Sequence, residues 1–297
     1  MTIDISFVGR GRDKLGEGAL WDPLEQAFYW VDITAPCIQR YDPAIHRFRR
    51  FAMPDLVGSV GLAAPGTLLV ALRHGFHIFD MATSALRPLA LPEAGNLGVR
   101  FNDGKMDRQG RYLCGTMDAA PGTQPALGKL YRLDANYACH VLETGISVSN
   151  ALCFSPAGST LYFADSSQGV LWAYDYDTKT GTPSSRRVLA DTRAMTGSSP
   201  DGATVDSAGN IWVALVHGSA IGCFSPAGEL LQKIDLPIPF PTCPAFGGPG
   251  LETLYCTAIS SSGRLNTDHR DAGRLMRITG VGARGLPETR FRLGVPA

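Results

Sequence analysis

The sequence predicts an all-β fold, a six-bladed β-propeller. Three observations predict it. A strand–turn–strand pattern recurs along the chain. Its period matches a propeller blade, and helical periodicity does not persist beyond about two turns. The pattern is clearest at residues 149–165, where Ser149-Asn150 opens an apolar run, Ser155-Pro156-Ala157-Gly158 turns, and β-formers follow. Pro and Gly supply the turn dihedrals. Residues 201–214 and 102–113 repeat it.

Taken in order, the first copy opens at Glu17 and passes Trp21-Asp22-Pro23 into Phe28-Tyr29-Trp30-Val31. The second opens at Ser59 and turns at Ala64-Pro65-Gly66. The third opens at Asn102, the fourth at Asn150, the fifth at Asp201. The sixth opens at Cys243 and turns at Gly247-Gly248-Pro249-Gly250. The steps between openers are 42, 43, 48, 51 and 42 residues. Repeats of roughly 40–50 residues with several strands each are propeller blades. Six of them fill residues 1–297 as a single domain. Residues 178–185 read as a hairpin turn within blade four. Ile5 to Val8 alternate as a strand, expected to pair with a C-terminal strand at residues 289–293 and so hide two sheet edges. Residues 273–278 read as a further strand of the last blade.

Two long connections stand out. Residues 118–128 lack periodicity and are rich in small residues, which fits either a lid or an ordinary surface loop. Residues 259–272 carry Asp268, His269, Arg270 and Asp271 and read as a solvated excursion.

Composition narrows the function. The chain has 27 Lys and Arg against 27 Asp and Glu, so no basic field argues for nucleic acid or an anionic membrane. No apolar run approaches the roughly 20 residues that span a bilayer, and no signal peptide is visible. Seven cysteines occur with no C-x-x-C pair, and Cys114, Cys153, Cys223 and Cys256 fall inside strands. Buried thiols in a reducing cytoplasm are the expectation. Trp21, Trp30, Trp172 and Trp212 read as core between blades. Oligomeric state is not legible.

The register carries chemistry. If each opener begins the innermost strand of its blade, Glu17, Ser59, Asn102, Asn150, Asp201 and Cys243 gather at one mouth of the channel. Oxygen-bearing groups among them suit a hard divalent cation. The bland reading of any one of them is a turn residue capping a strand. His217 reads as structural, and His74 and His77 as blade-two surface. No G-x-S-x-G elbow, P-loop or dinucleotide fingerprint is present.

Several segments resemble the gluconolactonase family, that of senescence marker protein or regucalcin. They are Gly16-Glu17-Gly18, Arg100-Phe101-Asn102-Asp103-Gly104-Lys105, Gly115-Thr116-Met117, Ser149-Asn150, Ala164-Asp165 and Ser199-Pro200-Asp201-Gly202. Cys243-Pro244-Ala245-Phe246-Gly247-Gly248 is similar to the bacterial sugar-lactonase branch. The resemblance implies a six-bladed propeller and one divalent metal held by Glu17, Asn150 and Asp201. Oxygen donors leave calcium, magnesium, manganese, zinc and ferrous iron open. It also implies substrate binding by Arg100 and Asn102. An acidic substrate contact found in some relatives maps onto Ala120, a departure that bears on which sugar is preferred.

The implied reaction is hydrolysis of a sugar lactone, an aldonolactone, to its aldonic acid in carbohydrate catabolism. It needs a polarised carbonyl, an activated water and a stabilised oxyanion. Asp201 is the candidate base, Arg100 a candidate for oxyanion stabilisation, and Asp103 a residue that orients a ligand from behind. The alternatives are a calcium-binding regulatory protein without turnover, a phosphotriesterase-like hydrolase on the same propeller, and a protein-interaction propeller.

Overall fold

A computed structural model of the chain describes residues 2–120, 122 and 125–294. It begins with β1 (Asp4–Val8). Blade one follows as β2 (Gly16–Asp22), β3 (Ala27–Asp32), β4 (Cys37–Asp42) and β5 (Arg47–Ala52). Blade two is β6 (Val57–Leu62), β7 (Thr67–Leu72), β8 (Gly75–Asp80) and β9 (Leu86–Ala90). Blade three is β10 (Val99–Met106), β11 (Tyr112–Asp118), β12 (Gly128–Leu133) and β13 (Cys139–Ile146). Blade four is β14 (Ser149–Phe154), β15 (Thr160–Asp165), β16 (Val170–Asp177) and β17 (Thr182–Asp191), with the expected hairpin turn between the last two. A short helix, α1 (Thr192–Thr196), leads to blade five: β18 (Pro200–Val205), β19 (Ile211–Leu215), β20 (Ala220–Phe224) and β21 (Leu230–Asp235). Blade six is β22 (Pro241–Gly247), β23 (Thr253–Ala258) and β24 (Leu275–Thr279), completed by β1 as its outer strand.

Each blade is an antiparallel four-stranded sheet, and the first strand of each packs on its neighbours around the channel. The inner strands β2, β6, β14, β18 and β22 are buried throughout, whereas the outer strand β5 is mostly exposed. Close approach needs glycine at some of these positions. A Cβ on Gly58 would stand 2.4 Å from the Phe101 carbonyl oxygen, and one on Gly202 2.9 Å from the Cys243 backbone. The four tryptophans are buried between blades, as expected. Trp21 and Trp30 pack with Tyr255 and Leu275 across blades one and six, Trp172 with Leu113 across blades four and three. Trp212 meets Phe246 of blade six edge-on, with ring centroids 5.8 Å apart. All seven cysteines are free, and six are buried.

The ring closes through β1, but not with the expected partner. Asp4 to Val8 pair with Thr279 to Leu275 of β24. Residues 289–293 instead cross the lower face of the propeller. The Phe291 amide donates to the Leu62 carbonyl at 2.7 Å, and the Gly294 amide to that of Ala135 at 3.0 Å. Their Arg-Phe-Arg alternation imitates a strand because Phe291 packs down into the blade-two and blade-three core while Arg290 reaches outward to Ala63 and Asp22. This tail carries Glu288 to a half-buried ion pair with Lys105 in the channel. Among the described residues no helix is long and apolar enough to cross a membrane.

Candidate active site

Every inner strand gains one residue over its neighbour at the same level near the upper mouth. The register slips between Glu17 and Leu20, Phe101 and Gly104, Asn150 and Cys153, Pro200 and Ala203, Pro241 and Pro244, and Val57 and Ser59. Such bulges bend a strand and re-aim its side chains. In blades one and four the backbone turns left-handed just after the opener, with φ 59° at Gly18 and φ 56° at Ala151. Gly18 takes this without cost, whereas Ala151 holds a conformation that surrounding packing must enforce.

Four of the six openers meet as a result. Glu17, Asn102, Asn150 and Asp201, together with Arg100, line a cavity of about 260 Å³ at the upper mouth. Each of these four openers is more than nine-tenths buried. The other two do not join them, contrary to the expectation from the repeat. Ser59 follows its bulge and lies deeper, hydrogen-bonded by the Tyr112 hydroxyl at 2.9 Å. Cys243 lines the channel below, beside Asp103. A repeat aligned by sequence is accurate to about one residue here, and one residue decides which side of the bulge an opener occupies.

A relay of hydrogen bonds orients the polar groups. Arg100 Nη1 donates to Asn102 Oδ1 at 2.6 Å and to the Phe101 carbonyl at 3.0 Å. Asn102 Nδ2 donates to Asn150 Oδ1 at 2.9 Å and to the Ser149 carbonyl at 2.8 Å. Asn150 Nδ2 donates to Ser166 Oγ at 2.8 Å, and Ser166 in turn donates to the Pro200 carbonyl at 2.6 Å. The network thereby fixes the Asn150 amide with Nδ2 toward blade five and Oδ1 toward Asn102. Asn102 has both amide protons engaged, so only its oxygen has capacity left for a ligand.

Electrostatics separate the carboxyls from ordinary surface groups. Burial, then Asp201 and Asp103, push Glu17 well above the usual carboxylate range. Burial and then Asp103 raise Asp201, which lies within hydrogen-bond contact of Glu17. Asp103 sits behind them, raised to about 6 by burial despite accepting from the Leu152 amide at 2.8 Å. Arg100 is pulled down to about 10, first by burial, against the opposing charges of Glu17 and Asp201, and with smaller contributions from Arg264 and Arg73. Two buried like charges that face each other favour either a shared proton or a cation. Among the described residues no three His, Cys, Asp or Glu side chains come together; the expected trio holds two carboxylates and an amide.

The loops add what the motifs did not announce. Residues 259–272 are largely exposed, as expected of a solvated excursion, but their first half also reaches over the mouth: Ile259, Ser262, Arg264 and Leu265 line it. Arg264 Nη2 donates to the Ala119 carbonyl at 3.4 Å, tying the blade-six loop to blade three. Asp118 and Ala119 line the same cavity, and residues 121, 123 and 124 of the 118–128 loop lie outside the described residues. Asp118 Oδ1 accepts from the Leu127 amide at 2.7 Å while its buried Oδ2 has no partner among the described residues. Arg73, in the turn between β7 and β8, was another residue without a repeat signature. His217 is exposed and His74 and His77 are half-buried; none lines the cavity.

This arrangement, four strand openings and one arginine on a propeller axis, agrees with a family comparison. A model of the SMP-30/gluconolactonase/LRE-like region matches residues 15–260. The chain belongs to that family. Within it, the chain is 37% identical over 258 residues to the 6-deoxy-6-sulfogluconolactonase of Pseudomonas putida, covering 87% of this chain and 88% of that one. It is 34% identical over 289 residues to a pentonolactonase of Haloferax volcanii, covering 95% and 96%. The structure of a calcium-binding protein, regucalcin, from Agrobacterium tumefaciens superposes with a TM-score of 0.90 at 28% identity, over 97% of each chain.

Proposed function

We propose that the chain hydrolyses a sugar lactone to its aldonic acid with one divalent metal ion held by Glu17, Asn150 and Asp201. The observation that carries this reading is the convergence of those three side chains with Arg100 and Asn102 on one cavity, in a chain whose family includes named lactonases. The residues fit a cation. Two buried carboxyls repel each other, and Asn150 is held by Ser166 and Asn102 with a carbonyl oxygen beside them. Oxygen donors of this kind suit hard or borderline divalent ions. A cation so placed supplies Lewis-acid polarisation of an ester carbonyl and acidification of water.

The chain's own groups do the rest. Asp201 takes a proton from the attacking water and returns it to the ring oxygen that leaves, so water is added across the ester bond. Arg100, with N–H groups beyond those on Asn102 and Phe101, faces the developing oxyanion or a ring hydroxyl. Asn102 holds Asn150 in orientation and offers one acceptor oxygen to the sugar. Asp103, below the carboxyls, keeps negative charge behind Glu17 and Asp201. Seven free thiols support work in a reducing cytoplasm.

The test is to strip the protein with chelator, restore one divalent ion at a time and follow acid release from a panel of aldonolactones, with spontaneous hydrolysis subtracted. Return of turnover with one ion supports the reading and identifies the metal. Tight ion binding with no turnover on any lactone replaces it with the ion-binding regulatory reading.

A further inference from the structure

We infer that the natural lactone carries a fixed negative charge on the part of the sugar remote from the carbonyl, and that Arg73 and Arg264 read that charge. The inference rests on the lactonase reading of the site and specifies its substrate class.

Arg73 and Arg264 both line the mouth cavity, one from the blade-two turn and one from the blade-six loop. Both are tethered to the blade-three side. The Arg73 carbonyl accepts from the Phe101 amide at 3.2 Å, and Arg264 reaches the Ala119 carbonyl. Arg100, on the same blade, makes a third guanidinium at this cavity.

None of the three has a carboxylate within ion-pairing distance among the described residues. Elsewhere the half-buried or buried arginines Arg40, Arg111, Arg132 and Arg290 each have one. Arg108 is held instead by two backbone carbonyls. The Arg73 side chain makes no hydrogen bond within the described residues, and its Nε is buried without a partner. Leaving a buried donor unmet costs free energy, so such a group is expected to meet its acceptor in the complex. The carboxylates in the lining are Glu17 and Asp201, which face each other, and Asp118, which caps the Leu127 amide. A divalent cation held by Glu17, Asn150 and Asp201 would leave the filled cavity with excess positive charge. A neutral lactone would leave that charge unbalanced.

Arginine recognises planar or tetrahedral oxyanions through paired N–H groups. The ligand chemistry is therefore an exocyclic sulfonate, phosphate ester or carboxylate on a sugar lactone. The apolar wall of Leu15, Leu56, Ile259 and Leu265 lowers the local dielectric and strengthens such a contact.

The test uses the metal-loaded full chain and four probes: glucono-1,5-lactone and its counterparts bearing a 6-phosphate, a 6-sulfonate or a 6-carboxylate. At least one anionic lactone is expected to exceed the neutral one in kcat/KM by more than tenfold, with a preference that shrinks as salt rises. The three arms decide which oxyanion is read. In Arg73→Gln/Arg264→Gln the ratio of anionic to neutral kcat/KM is expected to fall by more than tenfold, mostly through KM. Arg264→Gln alone, at an exposed loop position, gives a smaller fall in the same direction and serves if the double variant misfolds. Equal or better turnover of the neutral lactone by the unmodified chain, or a ratio unmoved by the substitutions, overturns the inference and leaves the lactonase reading intact. No turnover of any of the four overturns both.

Discussion

The two mouths of one channel are built from the same six strands and solve the problem of buried charge in opposite ways. At the lower mouth the tail brings Glu288 against Lys105, and the pair nearly closes the channel to a void of about 20 Å³. Burial pulls the lysine down, but Glu288 outweighs it and holds Lys105 above its ordinary value. At the upper mouth Glu17 and Asp201 face each other, and among the described residues three arginines have no ion-pair partner and Asp118 keeps one oxygen unmet. A fold that can pair its buried charges at one end has no structural need to leave them unpaired at the other. The unmet groups are what an ion and a substrate would complete.

Substitutions that treat the two ends alike would break this contrast. The largest effect is expected from Asp201→Asn, which removes both a proposed ligand and the proposed base. Turnover of any lactone falls by roughly a thousandfold or more while circular dichroism stays unchanged. Near-normal hydrolysis would return Asp201 to a strand cap.

Next comes a pair of opposite sign. Glu288→Ala leaves half-buried Lys105 without its partner and is expected to cost about 1–2 kcal/mol in denaturant unfolding, with kcat/KM little changed. Glu17→Gln removes one of two repelling charges, so the metal-free protein is expected to gain stability while losing ion binding. The gain depends on pH. Unfolded carboxyls release their protons in the ordinary range near 4, whereas folded Glu17 and Asp201 hold theirs to higher pH. Between those limits the folded state binds more protons, so raising pH favours unfolding of the chelated protein. The advantage of Glu17→Gln therefore widens from pH 5.5 to pH 8. Equal destabilisation by both substitutions would mean the upper carboxyls are paired as well as the lower ones.

A smaller loss, roughly tenfold to a hundredfold in kcat/KM, is expected from Arg100→Ala, read at saturating metal. Unchanged kinetics would make Arg100 a brace for Asn102 alone. Ser166→Ala sharpens the comparison most finely. It deletes the acceptor that fixes the Asn150 amide and is expected to weaken metal affinity by about tenfold, measured by calorimetry with no change in melting of the chelated protein.

Much of this was legible in the chain. Glu17, Asn102, Asn150 and Asp201 recur at blade spacing because strand number and blade packing demand a periodic sequence, and their polar character breaks an otherwise apolar inner strand. Cys114, Cys153, Cys223 and Cys256 were readable as buried because they sit among β-formers. Ser59 and Cys243 misled because the repeat locates a strand but not its bulge. Arg73, Arg264 and Ser166 gave no signal at all, since loops and turns are under no periodic constraint.

By itself, the sequence determined the six blades, their strand–turn–strand repeat and the polar openings of the inner strands. Local alternation and turn chemistry suffice for that, because they act over a few residues. Only the tertiary structure decided which openers share the mouth, that β24 rather than residues 289–293 receives β1, and that the blade-six loop brings Arg264 over blade three. Those choices join segments up to 275 residues apart, Asp4 with Thr279. They are settled by how closely six twisted sheets approach one axis, a property of the whole ring that no short stretch of chain encodes.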